Sequence, residues 1–290
     1  MIGRLVIVGV GLIGGSLALA LKAKQYCNEI IGLGRDEAAL RHAYELGVID
    51  RFSTNPQEAL EGADVVLLAV PMQAMLPVLK SLKPHLAEHT ILTDAGSTKQ
   101  SVIAEVEDVF GKAFPRFVPG HPIAGRERSG VDAALADLYE GRRVILTPTF
   151  YTDEQALRTV EAMWRVTGAR VEHLTPALHD QVLAATSHLP HVVAFAVVDT
   201  LLKLPDHEDI LRYAGGGFRD STRIASSDPT MWRDICLTNT EAIVEVVEAL
   251  RANLAEFVTL MRERNGAGLH ERMASVKQAR DAYIAQYDAR

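Results

Sequence analysis

The sequence predicts an α/β chain, with a doubly wound parallel-sheet domain first and an all-helical domain after it. Three observations predict this. An apolar, β-branched run, Leu5-Val6-Ile7-Val8, breaks on Gly9-x-Gly11-x-x-Gly14 and continues with helical spacing through residues 17–21. Strand-like and helix-like signals then alternate as far as His173. From Thr175 strand signals stop, and helical periodicities fill 178–202, 232–264 and 269–287. The boundaries that follow are a Rossmann dinucleotide-binding domain over 1–173 and a helical substrate and dimerisation domain over 174–290.

The glycine turn has the required context of strand, turn and helix, and each glycine has a physical task. Gly9 permits the tight turn, Gly11 lets a diphosphate approach the backbone, and Gly14 lets the helix lie close to the strand. Leu12 and Ile13 start that helix, whose free N–H groups and positive dipole end suit a diphosphate. The alternative is a glycine-rich turn in a doubly wound fold that binds no dinucleotide. The second strand, 29–33, ends on Gly34 where an NAD-binding chain usually has an acid for the ribose 2′-hydroxyl. Arg35 follows. A missing carboxylate beside a guanidinium favours NADP over NAD, unless Asp36 serves the ribose and Arg35 faces solvent.

The remaining elements follow in order. A helix over 36–46 stops at Gly47, and Asn55-Pro56 reads as an N-cap with proline in the first turn. Residues 64–71 form a buried strand, so Val70 and Pro71 at its carboxyl end should border the cofactor. Residues 90–94 form the next strand, running into Ala95-Gly96-Ser97-Thr98-Lys99 and a helix to Phe110. A further strand spans 143–147, Thr152-x-x-Gln155 resembles a capping box for a helix to Val166, and 170–173 closes the alternation. Asp228-Pro229 is a second helix start.

Composition bounds the class. Of 290 residues 48% are hydrophobic and 23% charged, enough for a sizeable core. The net charge is −7 with no basic block, which argues against nucleic acid. Cys27 and Cys236 have no metal-like spacing, which fits a reducing compartment. The expectations are no signal peptide, no apolar run long enough to span a bilayer, and a soluble cytoplasmic protein. Long amphipathic helices in the C-terminal part are most simply covered by a second copy, a homodimer.

Two stretches follow strand ends in the first domain: Ser97, and His121 in Gly120-His121-Pro122-Ile123-Ala124-Gly125. Pro122 biases His121 toward an extended backbone, so its ring should project from a loop. A dehydrogenase acting on a hydroxyl needs a group to take the hydroxyl proton as hydride leaves, and histidine titrates in the right range. Ser97 can orient that imidazole or the substrate, or cap the following helix. In the helical part Ser187-His188-Leu189-Pro190-His191 breaks a helix, with His179 upstream. These histidines, without a cysteine or close carboxylate, line a substrate cavity better than they hold a metal. Gly215-Gly216-Gly217 precedes Arg219 and Arg223, either of which is a candidate buried clamp for a carboxylate. Trp232 should pack over the cavity or the core.

GVGLIGGS at 9–16, DAGSTK at 94–99, HPIAG at 121–125, SHLPH at 187–191 and GGFRDSTRIASSDPTMWRDI at 216–235 together resemble the prephenate dehydrogenase family. This is the TyrA family of tyrosine biosynthesis, which includes cyclohexadienyl and arogenate dehydrogenases. The resemblance covers nearly the whole chain, and its last motif is the most specific. It implies oxidative decarboxylation of prephenate to 4-hydroxyphenylpyruvate, or of arogenate to tyrosine, with hydride passing to NAD(P)+. Aromatisation drives the reaction, so the protein positions groups and manages one proton and one carboxylate. By matching motifs, His121 accepts a hydrogen bond from the C4 hydroxyl, with Ser97 in support. Arg223 clamps the ring carboxylate, and His188, His191, His179 and Trp232 border the substrate. Arg126 stands where many relatives have threonine or serine, and a cation there suits the side-chain carboxylate of prephenate.

Two other readings remain open on the residues alone. One is a β-hydroxyacid dehydrogenase or imine reductase, which HPIAG and the Arg223 segment disfavour. The other is a non-catalytic NAD(P) sensor, which would need none of Ser97, His121 and Arg223.

Overall fold

A computed structural model describes residues 1–126 and 128–288. β1 (Ile2–Val8) runs through the glycine turn into α1 (Leu12–Ala23). β2 (Cys27–Leu33), α2 (Glu37–Glu45), β3 (Arg51–Ser53), α3 (Pro56–Leu60), β4 (Val65–Leu68) and α4 (Met75–Leu82) continue the alternation. β5 (Ile91–Asp94), α5 (Gln100–Phe110) and β6 (Phe117–Val118) complete it. These strands form a parallel six-stranded sheet in the order β3-β2-β1-β4-β5-β6. The order reverses between β1 and β4, the point at which such sheets bind ligands in a crevice beyond the carboxyl ends of the strands. The central strands are buried on both faces, which is why they read as continuous apolar runs. Leu17, Leu21 and Trp164 cover one face, and Met75, Leu79, Val102 and Val106 the other.

A second, three-stranded sheet follows: β7 (Gly120–Pro122), antiparallel to β8 (Arg143–Leu146), which is parallel to β9 (Arg170–His173). α6 (Glu154–Val166) lies between β8 and β9 in the chain. His121 therefore sits on a strand, paired with Ile145, and not on the loop expected from sequence. The extended backbone that Pro122 imposes is the same, but β8 supplies a partner for it. Asn55 and Asp228 cap their helices as expected, accepting from the Gln57 and Met231 amides at 3.0 and 2.9 Å. α6 departs from expectation, because Asp153 caps it through the Ala156 amide at 2.8 Å. Thr152 instead uses its hydroxyl to accept from the Thr149 amide at 2.9 Å.

The helical part comprises α7 (Pro176–Leu183), a π turn (Ala184–His188), α8 (Leu189–Leu202), α9 (His207–Arg212) and α10 (Gly216–Thr222). A 3₁₀ turn (Arg223–Ser226), α11 (Pro229–Thr238), α12 (Thr240–Arg262) and α13 (Gly266–Asp288) follow. By packing, the first compact unit runs from Met1 to Thr240, well past the change in character at residue 173. Hydrogen bonds from the Lys99 amide to Asp180 and from Asn239 to the Asp180 carbonyl, 2.8 and 2.9 Å, help make it one unit. The second unit starts at Glu241. In it the Arg272 guanidinium lies 4.8 Å from the Phe257 ring centre and pairs with Glu256, joining α13 to α12.

One sequence expectation needs correction. Residues 176–202 form an unbroken 27-residue helical stretch, long and apolar enough by length and composition to cross a membrane. The interruption read at Ser187–His191 is a π turn and not a break. Pro190 follows the π turn inside this stretch, so its missing N–H interrupts the ladder at one position without ending the helix. Only 22% of its apolar window is buried, and His179, Asp180, His188 and His191 within it belong to the network described next.

Candidate active site

The crevice is shaped for a diphosphate. Gly9 has φ +94°, and a Cβ on it would stand 2.5 Å from the Ala69 carbonyl oxygen. A Cβ on Gly14 would stand 2.4 Å from the Gly9 carbonyl oxygen and 2.6 Å from Ile7. Gly11 differs, since among the described residues nothing lies within 4 Å of the place its Cβ would take. Among the described residues no side chain caps α1 and none fills the space above Gly11, which leaves the first-turn amides of Leu12 and Ile13 for a ligand. Val70 stands against Gly9, and Pro71 is exposed just beyond the end of β4. These residues fit a dinucleotide at its diphosphate. At the end of β2, Arg35, Asp36, Glu37 and Ala38 line an open groove. Asp36 caps α2 through the Ala39 amide at 3.1 Å, while Arg35 is exposed and makes no ion pair among the described residues.

Beyond β5 the chain buries an ion pair. Lys99 Nζ donates to Asp94 Oδ2, with both side chains wholly buried, and to the Gly120 carbonyl at 2.6 Å. Asp94 also accepts from the amides of Gly96 and Gly120, at 2.8 and 3.1 Å. Burial pulls the Lys99 ammonium below its usual range, and the Asp94 charge opposes that. The pair fastens the loop bearing Ser97 to the strand bearing His121. Ser97 is half-buried, and its hydroxyl has no hydrogen-bond partner among the described residues. It does not cap α5, whose Lys99 and Gln100 amides donate instead to the Asp180 carboxylate at 2.8 and 2.9 Å.

From Asp180 a line of rings leads to the crevice. Asp180 Oδ1 lies 2.8 Å from His179 Nδ1, and His179 Nε2 lies 2.9 Å from His121 Nδ1. Burial pushes His121 well below its usual range, and the positive fields of His179, Lys99 and His188 add to this. His179 is lowered by burial too, against the hydrogen bond to Asp180. Burial pushes Asp180 up, but hydrogen bonds from His179, Gln100 and Lys99 bring its carboxyl down overall. His121 therefore stands neutral and partly exposed. His179 is wholly buried with both ring nitrogens committed, which corrects its expected place in the substrate lining. Asp180 likewise corrects the expectation that these histidines lack a close carboxylate.

The π turn brings the remaining rings to this side. Eight residues of α-helix would leave Asp180 and His188 about 80° apart, and one extra residue in a turn removes about 100°. His188 then meets the Asn239 amide at 3.2 Å, the group that also donates to the Asp180 carbonyl. Burial holds the His188 imidazole down to about 4. His191 stacks on Trp232 with ring centres 3.7 Å apart, and its Nδ1 bonds the Ser187 carbonyl at 3.0 Å. Burial lowers His191, the Ser187 carbonyl opposes this, and the charge of Arg223 lowers it further. Trp232 is buried, and its Nε1 has no hydrogen-bond partner among the described residues.

The structure thus joins His121 directly to His179, and His188 to His191 through Trp232. Arg223 follows α10 in a 3₁₀ turn packed against α8, near His191, and it is exposed in the isolated chain, unlike the buried clamp expected. Arg219 is exposed on α10, and Arg126 is exposed just after β7. Sequence reasoning missed Asp94, Lys99, Asp180 and Asn239. Asp94 and Lys99 lay in a quoted motif, and Asp180 stood beside a quoted histidine. Nothing local marked Asn239.

Comparisons with known proteins agree along the chain. A family model described as "Prephenate dehydrogenase, nucleotide-binding domain" matches residues 17–173, and one described as "Prephenate dehydrogenase, dimerization domain" matches 175–275. A cyclohexadienyl dehydrogenase of Zymomonas mobilis is 37% identical over 291 residues, covering 99% of this chain and 98% of its own. A prephenate dehydrogenase of Aquifex aeolicus, solved with hydroxyphenyl propionate and NAD+, is 40% identical with a TM-score of 0.91, covering 97% of this chain and 98% of its own. An arogenate dehydrogenase of Synechocystis is 30% identical with a TM-score of 0.82, covering 97% of this chain and 99% of its own.

Proposed function

The chain belongs to the prephenate dehydrogenase family, and from that membership we propose that it converts prephenate to 4-hydroxyphenylpyruvate and CO2 in tyrosine biosynthesis. Arogenate is the alternative substrate. The observation that carries the residue assignment is His121, kept neutral and partly exposed next to Gly120, which is fastened to the carboxyl end of β5. The family motifs put the reacting hydroxyl at this same residue.

The nicotinamide of a bound NAD(P)+ supplies the acceptor for the hydride that leaves substrate C4. Gly9, Gly11, Leu12, Ile13 and Gly14 hold the diphosphate, and Val70 and Pro71 border the crevice. His121 accepts the C4 hydroxyl proton as that carbon takes on carbonyl character. The product is a phenol, so His121 returns the proton when loss of CO2 aromatises the ring. Ser97, with its hydroxyl uncommitted, supports the substrate hydroxyl. Arg223 pairs with the ring carboxylate beside the His191–Trp232 stack, and His188, buried against Trp232 and so not itself in the substrate lining expected from sequence, backs that stack. Arg126 serves the side-chain carboxylate. An exposed Arg35 next to Gly34, with Asp36 occupied as a helix cap, supports NADP over NAD. The exposed apolar side chains Val182, Val197 and Leu202 support a homodimer through the helical part.

The test is absorbance at the reduced-nicotinamide band. Purified protein is mixed with prephenate or arogenate, each with NAD+ or NADP+. The expected result is a rise with prephenate, faster with NADP+. Flat traces in all four mixtures, from protein shown to bind nucleotide, would overturn the reading. Light scattering should give about twice the chain mass of 31.7 kDa.

A further inference from the structure

A second ring and a carboxylate stand in line behind His121, and neither is accessible to a substrate. An ionised carboxylate only accepts hydrogen bonds. Asp180 Oδ1 takes the Lys99 amide and Oδ2 the Gln100 amide, at 2.8 and 2.9 Å, so the α5 amino end fixes its position. His179 Nδ1, 2.8 Å from Oδ1, must therefore carry its proton there. A neutral imidazole has one N–H, which leaves His179 Nε2 an acceptor. His121 Nδ1, 2.9 Å away, must then be the donor, and His121 Nε2 keeps its lone pair.

We propose that His179 and Asp180 are positioning residues that fix His121 as the tautomer with a bare Nε2 and take up the positive charge His121 acquires in the reaction. This rests on the reading of His121 as the proton acceptor. When the substrate O–H bond breaks, its proton goes to His121 Nε2. The proton on His121 Nδ1 passes to His179 Nε2, leaving His121 neutral and His179 an imidazolium beside Asp180. The reverse transfers restore both rings as the phenol forms, so no proton is gained or lost.

The surrounding charges favour this placement. Lys99 faces both rings from the β5–α5 loop, and His188 faces His121 from the π turn. Asp94 also faces His179, but it is already paired with Lys99. Asp180 contacts His179 and not His121, so His179 is the ring beside a counter-charge. The same chain makes the device fragile. Without an ionised Asp180, His179 is free to carry its proton on Nε2 and donate to His121 Nδ1. His121 would then be protonated on Nε2 and would present a donor where the hydroxyl needs an acceptor.

The test uses Asp180→Asn, which keeps the shape but removes the charge and turns one of the two oxygens that take the Lys99, Gln100 and His179 donors into an NH2 donor. The expected kcat loss is about 10²–10⁴-fold, comparable to general-base catalysis, with KM within a few-fold of wild type. The acid limb of the kcat/KM profile should move to lower pH, because the imidazolium has lost its counter-charge. A merely structural role would leave that limb in place. Nitrogen-15 histidine spectra of the wild type, without ligands, should show His121 and His179 as Nδ1–H tautomers, assigned with His121→Asn and His179→Gln. Wild-type His121 found as the Nε2–H tautomer overturns the proposal, even if Asp180→Asn does not fold. An Asp180→Asn enzyme with wild-type kcat and acid limb overturns it equally. Full activity in His121→Asn would instead overturn the base assignment beneath it.

Discussion

The Gly120 amide donates to Asp94 Oδ1 at 3.1 Å, so the residue before His121 is fastened to the end of β5. The strand that carries His121 is held by backbone and buried charge, not by the His121 ring. His121→Asn should therefore leave the fold and nucleotide affinity intact while kcat falls about 10²–10⁴-fold, the usual range for a general base. KM should change little. Steady-state kinetics with prephenate decide this, and an unchanged kcat would move the base elsewhere.

Arg223 sits near His191, close enough for its charge to lower that imidazole. It is exposed in the isolated chain, so its worth to the substrate is smaller than that of a buried guanidinium. Arg223→Ala should raise the KM for prephenate about tenfold, equivalent to about 1.4 kcal/mol of binding. Arg223→Lys should recover part of this, since a point charge remains but the planar fork is lost. Normal KM in both variants would shift the carboxylate contact to Arg219 or Arg126.

The parallel sheet was legible in sequence because its strands are buried on both faces and its turns carry obligatory glycines. Gly9, Gly11 and Gly14 behave in the structure as their spacing implied: strained, open and crowded respectively. The second sheet was less legible, because β7 has only three residues and depends on β8 across more than twenty residues of chain. Capping was read correctly at Asn55 and Asp228 and missed by one residue at α6, where Asp153 caps in place of Thr152. It failed at α5, whose cap is Asp180, eighty residues away. The candidate site shows the same division. Its histidines stood out by type, but the partners that define their roles, Asp180 and Asn239, come from tertiary approach. The π turn that brings His188 round has no local sequence signature.

His188 gives a pH dependence with a defined sign. Burial lowers its imidazole from 6.5 to about 4 in the fold. Between these values the unfolded chain binds a proton that the folded chain does not. Stability is therefore full above 6.5 and is lost as pH falls toward about 4. The full shift corresponds to about 3 kcal/mol. His121 and His179, also lowered, act in the same direction. Glu105, pushed up to about 7 by burial, acts the other way over the same range, so the sign is read from the difference: urea midpoints of His188→Gln should fall less between pH 7 and pH 4 than those of the wild type. An equal slope in the variant would show that His188 does not titrate this way.

The buried pair of Lys99 and Asp94 separates charge from hydrogen bonding. Both side chains are wholly buried, so removing one leaves the other charge without water or partner. Lys99→Met strands Asp94 with only the Gly96 and Gly120 amides, and also frees the Gly120 carbonyl. The expected cost is about 3–5 kcal/mol, or a Tm roughly 10 °C lower. Asp94→Asn combined with Lys99→Met removes both charges of the pair, while the carboxamide oxygen keeps an acceptor for one of the two amides. The double variant should therefore be more stable than Lys99→Met alone, and thermal unfolding of both measures the difference. Equal Tm values would show that relieving the stranded Asp94 charge is worth no more than the one amide hydrogen bond the carboxamide gives up.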